Sequence, residues 1–433
     1  MPKLFVLSFI LLIFTPACSV KREVNKAPSE WIQGYVDPRF SEVKEVFLEN
    51  FLERGEQGAA VAVYYRGKKV VDLWGGCKDI IKHTPWQEHS MVPVYSSTKG
   101  MAAMAFVKAH SEGWVNFNEP VAKYWPEFAA NGKDSITVRQ LLAHEAGLCL
   151  VEPVFDVELL LDLDSLGQLL AVQEPVWQPG EKHGYHLSTL GLYMNELFRH
   201  IDPEGRTIGN YFDQCIAKPL DLKFYIGLPP EINQDEVVKI IYPGMWDGIT
   251  GYWKLPKGTR KKLRDKTSLL YKSFKIPKRF NPNDSLSRVV ENPSGNGIGT
   301  ARAMAKAYSV MAHGGKALGI RPETFQFLCD SAITPRCGPE DVVMGIDTWY
   351  KLGYLKPGPN LDYGSSRKAF GTPGAGGSFA FADPDKQLGF AYVMSRMGVA
   401  LKDDPREVAL RKAVYGAIER SEAKERAISE KTL

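Results

Sequence analysis

The sequence predicts an α/β (α+β) fold: an antiparallel sheet flanked by helices and built from both ends of the chain, with an all-α lobe inserted between them. Three observations carry this expectation. β-rich apolar runs lie near both termini, helix-like runs separated by Pro/Gly loops fill about residues 100 to 330, and the composition is that of an ordinary globular chain. The chain has 433 residues, 44% hydrophobic and 24% charged, with net charge +4. At roughly 150 residues per domain, that length allows two or three lobes with sizeable cores. Such apolar content and low net charge disfavour disorder. No internal stretch reaches the ~18 uncharged apolar residues of a membrane span.

Taken in order, Met1 to Ser19 reads as a signal peptide or short anchor. Lys3 precedes the apolar run Leu4 to Phe14, and Thr15-Pro16-Ala17 supplies a small residue for cleavage. Cys18 gives a rival lipoprotein-like reading. Lys21, Arg22 and Lys26 give a third, a retained anchor. The expected location is the secretory pathway, secreted or membrane-anchored. Asn283-Asp284-Ser285 is a glycosylation sequon. Five cysteines follow Cys18, an odd number, so at least one thiol is free or intermolecular.

Ser41 to Arg54 reads as an amphipathic helix with Ser41 as its cap and Gly55 as its stop. Ala59 to Tyr65 and Lys69 to Trp74 form a hairpin around Arg66-Gly67-Lys68. A second hairpin pairs Ser378 to Ala382 with Leu388 to Ser395 across Asp383-Pro384-Asp385-Lys386. Asp404 then caps a helix that starts at Pro405, and the charged tail 421–433 is expected to fray. Between the hairpins, 100–113, 136–146, 157–172, 187–200 and 300–313 read as helices. The main domain is set at about 30–420, with the α/β lobe at about 30–98 and 340–420 and the α lobe at about 99–339.

The charge is unevenly placed. Residues 252–280 hold eleven Lys/Arg against the single acid Asp265, or +10, and the rest of the chain carries −6. A nucleic-acid protein is basic over a whole face or domain, so no nucleic-acid partner is expected. Trp253, Tyr271, Phe274 and Phe280 interleave with these cations. The insertion reads either as a solvated loop, as a gate over a cleft, or as a contact with an anionic membrane surface.

Four Ser-x-x-Lys spacings occur, starting at Ser41, Ser96, Ser365 and Ser421. Only Ser96 follows an extended apolar lead, Val92-Pro93-Val94-Tyr95, and opens a buried-looking helix. Positions i and i+3 share a helix face, so Lys99 can reach the Ser96 hydroxyl. A serine needs a base to act as a nucleophile, and a lysine in a dry site can lose its proton. The same residues also read as a plain helix start with a snorkelling lysine. Tyr185 follows the Pro179-Gly180 turn. Beside a lysine its phenol could be acidified into a base, or it could be a packed loop aromatic. Phe370 to Ser378 is a Gly-rich strand entry where a ligand could approach the backbone, or simply a tight turn.

Together these pieces resemble the penicillin-recognising serine hydrolases, above all class C β-lactamases, related carboxylesterases and animal β-lactamase-domain proteins. Ser96-x-x-Lys99, Tyr185 and Thr372-Pro373-Gly374 stand in the family's order. Leu141 to Leu148, Asn296 to Arg302 and Phe381 to Pro384 agree as well, so the resemblance covers about 35–420. It implies a β-lactamase/transpeptidase-like fold. It implies that Ser96 becomes an acyl-enzyme, that Lys99 and Tyr185 share the proton transfers, and that the N–H groups of Ser96 and Ala375 form an oxyanion hole. His186, Thr372, Gly374 and Gly376 would contact substrate. Two departures matter. Leu187 stands where the β-lactamases carry Asn or Ser, and Thr372 replaces the Lys or His that holds a substrate carboxylate. A small neutral ester, or an amide, is therefore the expected substrate. The rival function is a degenerate hydrolase kept as a binding or structural protein. No cofactor and no metal are expected, since His183 and His186 lack companions for a zinc set. An α/β-hydrolase fails on order: its nearest elbow, Gly376-Gly377-Ser378-Phe379-Ala380, lacks the final Gly, and that fold needs a His after the elbow serine, whereas the last His is His313. The assembly state is left open.

Overall fold

The structure is a computed structural model that describes residues 31–432. The segment Met1 to Ser19, with its targeting reading, lies outside the described residues, as does Cys18.

Strand side chains alternate between faces, and the C-terminal hairpin uses this sharply. In Phe379-Ala380-Phe381-Ala382 the large residues join one core, with Phe390 and Tyr392, and the alanines join another, with Ala62 and Ala391. The first core is closed by the two terminal helices, α1 (Ser41–Glu53) and the last helix, Pro405–Thr432, through Val43, Phe47, Leu410 and Val414. The alanine face lets a helix come close. Helix Ala301–Ala312 lies so near the sheet that a Cβ on Gly389 would sit 2.3 Å from the Ala305 carbonyl oxygen. That helix falls inside the stretch that the sequence assigns to the α lobe, yet it packs on the sheet.

The strands, in chain order, are β1 (Ile32–Val36), β2 (Gly58–Tyr65), β3 (Lys68–Asp79), β4 (Thr84–Pro85), β5 (Val92–Pro93), β6 (Phe224–Ile226), β7 (Gly297–Gly299), β8 (Glu340–Asp341), β9 (Ile346–Asp347), β10 (Tyr350–Lys351), β11 (Tyr354–Leu355), β12 (Phe370–Pro373), β13 (Phe379–Asp383) and β14 (Leu388–Met394). The main sheet is antiparallel in the order β1-β3-β2-β14-β13-β12-β11-β10, with β4 beside β3. Both expected hairpins are present. Strands β5, β7 and β6 form a separate three-stranded sheet, so the inserted region is not purely helical. Its helices include α2 (Ser97–Ser111), α3 (Val138–Leu142), α4 (Leu163–Ala171), α5 (Thr189–Ile201) and α6 (Ile208–Phe212). The basic insertion is helical too: α7 (Met245–Lys254), α8 (Lys257–Arg264) and α9 (Leu269–Ser273).

Local departures have local causes. Ser41 does not cap α1. The cap belongs to a preceding 3-10 turn, where the Asp37 carboxylate accepts the Arg39 N–H at 3.0 Å. The tail does not fray before Thr432, because Glu422 meets Lys386 at 2.8 Å and Glu425 meets Arg66 at 2.9 Å. Asn283, the sequon residue, spends its side-chain amide on the backbone of Ile240, donating to its carbonyl and accepting from its N–H. Cys149, Cys215, Cys329 and Cys337 are free thiols.

Candidate active site

The site forms where α2 begins. Ser96 immediately precedes the helix, and Tyr95 before it is held at φ 49°. That left-handed backbone costs a bulky residue on the order of 1 kcal/mol or more and persists only where its surroundings enforce it. Here they do. The Val94 N–H donates to the Gly297 carbonyl at 2.9 Å, and the Thr98 hydroxyl donates to the Tyr95 carbonyl while accepting the Gly297 N–H at 2.8 Å. On the other side the Ser378 hydroxyl donates to the Val94 carbonyl at 2.9 Å and lies 3.1 Å from Ser97 Oγ. The two residues between Ser96 and Lys99 therefore tie the Ser96 turn to β7 and to the entry of β13.

Lys99 is 1% exposed. Its Nζ lies 3.4 Å from Ser96 Oγ and donates to the carbonyls of Leu187 at 2.7 Å and Ser294 at 2.9 Å. Desolvation by burial drives its pKa well below the usual amine range. The ring of Tyr185 lies 4.7 Å from Nζ. Burial pushes the phenol up, and its hydrogen bond with the Ser96 hydroxyl offsets that in part. The acidified phenol expected from a neighbouring lysine is thus corrected. Burial disfavours the charged form of the lysine as well, which weakens its pull on the phenolic proton.

Tyr185 stands on a buried polar cluster that the sequence did not reveal. Its N–H donates to Asp341 Oδ2 at 2.9 Å, and the Tyr350 hydroxyl donates to the same atom at 2.6 Å. Asp341 Oδ1 accepts the N–H groups of Val343 at 2.8 Å and Met344 at 2.7 Å. The Tyr350 ring stacks on Tyr185 with an interplanar angle of 15°. His144 packs against both rings, 5.1 Å from that of Tyr185, and accepts the His186 N–H through Nδ1 at 2.9 Å. Burial keeps His144 neutral.

His186 is not free for substrate. Its Nε2 accepts the Leu148 N–H at 2.9 Å, and Nδ1 donates to the Gly184 carbonyl at 2.6 Å. Burial lowers its pKa to about 4. The expected substrate contact is instead a neutral, fully bonded strut under the Tyr185 loop. His183 meets the Pro339 carbonyl at 2.8 Å.

Thr372 is also corrected. It is buried, and its hydroxyl faces Gly100 and Tyr308: a Cβ on Gly100 would lie 2.7 Å from Thr372 Oγ1 and 2.1 Å from the Tyr308 hydroxyl. Gly374 has a steric role, since a Cβ there would lie 2.3 Å from the Val94 carbonyl oxygen. A side chain would push the end of β12 away from the turn that leads into Ser96. Gly376 is buried at φ 85°, and its carbonyl accepts from the Gly398 N–H at 2.8 Å and from Arg406 at 2.9 Å. It shapes the turn and offers no carbonyl to substrate. Ala375 is exposed at the first position of a 3-10 turn, where the N–H has no partner within the turn. The Ser96 N–H, one position earlier relative to its own helix as the N-cap of α2, likewise has no partner within the helix.

A serine at a strained helix entry, a desolvated lysine within reach of it and a tyrosine over that lysine, all on this two-core architecture, define a serine hydrolase of β-lactamase/transpeptidase-like fold. The chain belongs to the Beta-lactamase family, whose model matches residues 31–414. It is 32% identical over 367 residues, 84% of this chain and 83% of the relative, to an esterase/beta-lactamase, LipL, of Mycobacterium tuberculosis. Among solved structures, a penicillin-binding protein homologue from Caulobacter crescentus superposes with TM-score 0.79 at 34% identity, covering 89% of this chain and 99% of that one. A family VIII carboxylesterase superposes with TM-score 0.78 at 33% identity, with the same coverage.

Proposed function

We propose that this chain hydrolyses small neutral esters, and amides less readily, through an acyl-enzyme on Ser96. The observation that carries the reading is the setting of Lys99. A neutral amine has two N–H donors and one lone pair. The carbonyls of Leu187 and Ser294 take the two donors, which leaves the lone pair for the hydroxyl proton of Ser96, 3.4 Å away.

In the first step Ser96 Oγ bonds to the substrate carbonyl carbon and its proton passes to Lys99. The N–H groups of Ser96 and Ala375 hold the oxyanion; such donors each contribute about 2.7–4 kcal/mol in comparable sites. The tetrahedral adduct then expels an alcohol. Its proton comes from Lys99 through the Tyr185 hydroxyl, which burial keeps protonated and therefore able to donate. Water attacks the acyl-Ser96 ester in the second half, with the proton route reversed.

Ester preference is supported by Thr372, which is neutral and turned inward, so this position supplies no cation for an acidic substrate. Ester hydrolysis is also in keeping with two similar proteins, the esterase/beta-lactamase LipL and the family VIII carboxylesterase. A panel of p-nitrophenyl esters, nitrocefin and D-alanyl peptides tests the preference. The expected kcat/KM is highest for short neutral esters, with nitrocefin and the acidic peptides lower by at least about 10²-fold, the scale of one lost charged contact. Equal or faster turnover of nitrocefin would overturn it. No turnover of any ester would favour a binding role.

A further inference from the structure

The insertion leaves the body of the protein as three short helices, and its two faces differ in kind. The inner face is anchored on both sides of the site. On α7, Asp247 pairs with Arg396 at 2.6 Å, and Gly251 abuts Val399 so closely that a Cβ would lie 2.4 Å from it. Met397 and Gly398, in that same stretch, hydrogen-bond to Tyr95 and Gly376, beside the nucleophile's turn. On α8, Thr259 donates to the Met344 carbonyl at 2.8 Å and Lys262 donates to that of Val342. These carbonyls belong to the turn that starts at Asp341.

The outer face is exposed and amphiphilic. Trp246 and Trp253 are seven residues apart on α7, hence on one side of the helix, and are 77% and 62% exposed. Asp247 and Gly251, the anchored positions, lie on another side. On α8 the positions Lys257, Arg260, Lys261 and Arg264 follow the i, i+3, i+4, i+7 stripe, opposite the anchored Thr259 and Lys262. The two outer faces are continuous, because the Arg260 guanidinium lies 5.2 Å from the centre of the Trp253 ring. Phe274, 51% exposed, adds a third ring further along.

Large exposed aromatics beside a stripe of cations match the interfacial layer of a bilayer: rings settle at the headgroup level and cations meet lipid phosphates and carboxylates. Residues 252–280 carry +10 while the rest of the chain carries a net −6, so the attraction to an anionic surface centres on this segment. We propose that residues 245–280 form a docking surface for an anionic phospholipid membrane, holding the protein with this face against the bilayer. The inference stands independently of the hydrolase reading.

The test is co-sedimentation of the full chain with phosphatidylcholine vesicles, with and without about one-third phosphatidylserine. Two variants are compared with the wild type, Trp246→Ser/Trp253→Ser and Lys257→Gln/Lys261→Gln/Arg264→Gln. Each cation at a charged surface strengthens binding about five-fold. Partitioning onto anionic vesicles should therefore fall on the order of a hundred-fold in the triple variant, and should weaken in the wild type as salt is raised. The tryptophan pair should weaken it as well. Both variants should keep the wild-type rate on soluble p-nitrophenyl acetate and the wild-type melting temperature. Identical partitioning by wild type and variants, equal binding to neutral and anionic vesicles, or tighter binding to RNA than to the vesicles would each overturn the proposal.

Discussion

Lys99→Met is expected to slow acylation of Ser96 on the order of 10³-fold, within the range that a positioned base supplies. Methionine keeps the length of the buried stem and removes the nitrogen, so the folded protein should survive with near-native circular dichroism. The wild-type pH profile carries the same argument. Lys99 must be unprotonated to accept the Ser96 proton, and burial moves its pKa well below 10.5. The kcat/KM for a neutral ester should therefore rise with pH on a limb lying well below the ordinary lysine range. It should reach its plateau before free lysine titrates. Stopped-flow measurement of p-nitrophenol release gives both results. Sustained burst kinetics in Lys99→Met, or a limb near 10.5, would remove Lys99 from the role assigned to it.

Asp341→Ala is expected to have the second large effect, on stability and turnover together. The substitution strands the N–H groups of Tyr185, Val343 and Met344 and the Tyr350 hydroxyl inside the protein. Breaking a buried, fully hydrogen-bonded carboxylate costs about 3–5 kcal/mol, a large share of a typical stability of about 5–15 kcal/mol. Turnover should fall about 10²-fold besides, since Tyr185 loses the contact that fixes its backbone. Urea unfolding and ester turnover on the same samples separate the effects. Unchanged values of both would show that the cluster does not position Tyr185.

What could be read from the sequence was local. The spacing from Ser96 to Lys99 is one helical turn, and both hairpins are written as alternating runs around short turns. The β-lactamase-family resemblance held because its motifs keep their order. What could not be read was long-range. Strands β5, β6 and β7 have two or three residues each, too short for any periodicity, and they come from segments about 70 to 130 residues apart. Asp341 announces itself only as a local turn-former, through its bonds to the N–H groups two and three residues on. Nothing in the sequence ties it to Tyr185, 156 residues away. The orientation of Thr372 depended on the phase of a four-residue strand, and its burial came from Gly100 and Tyr308 on two other helices. His186 was misassigned because its partners are backbone groups, which no motif encodes. The tail stayed helical because of ion pairs to the β2–β3 and β13–β14 turns, again beyond local reach.

Site mapping of a fluorophosphonate adduct by peptide mass spectrometry tests the central claim most directly. The account predicts one adduct, on Ser96, abolished in Ser96→Ala and formed far more slowly in Lys99→Met. An adduct on a different residue, or ester turnover that persists in Ser96→Ala, would contradict it.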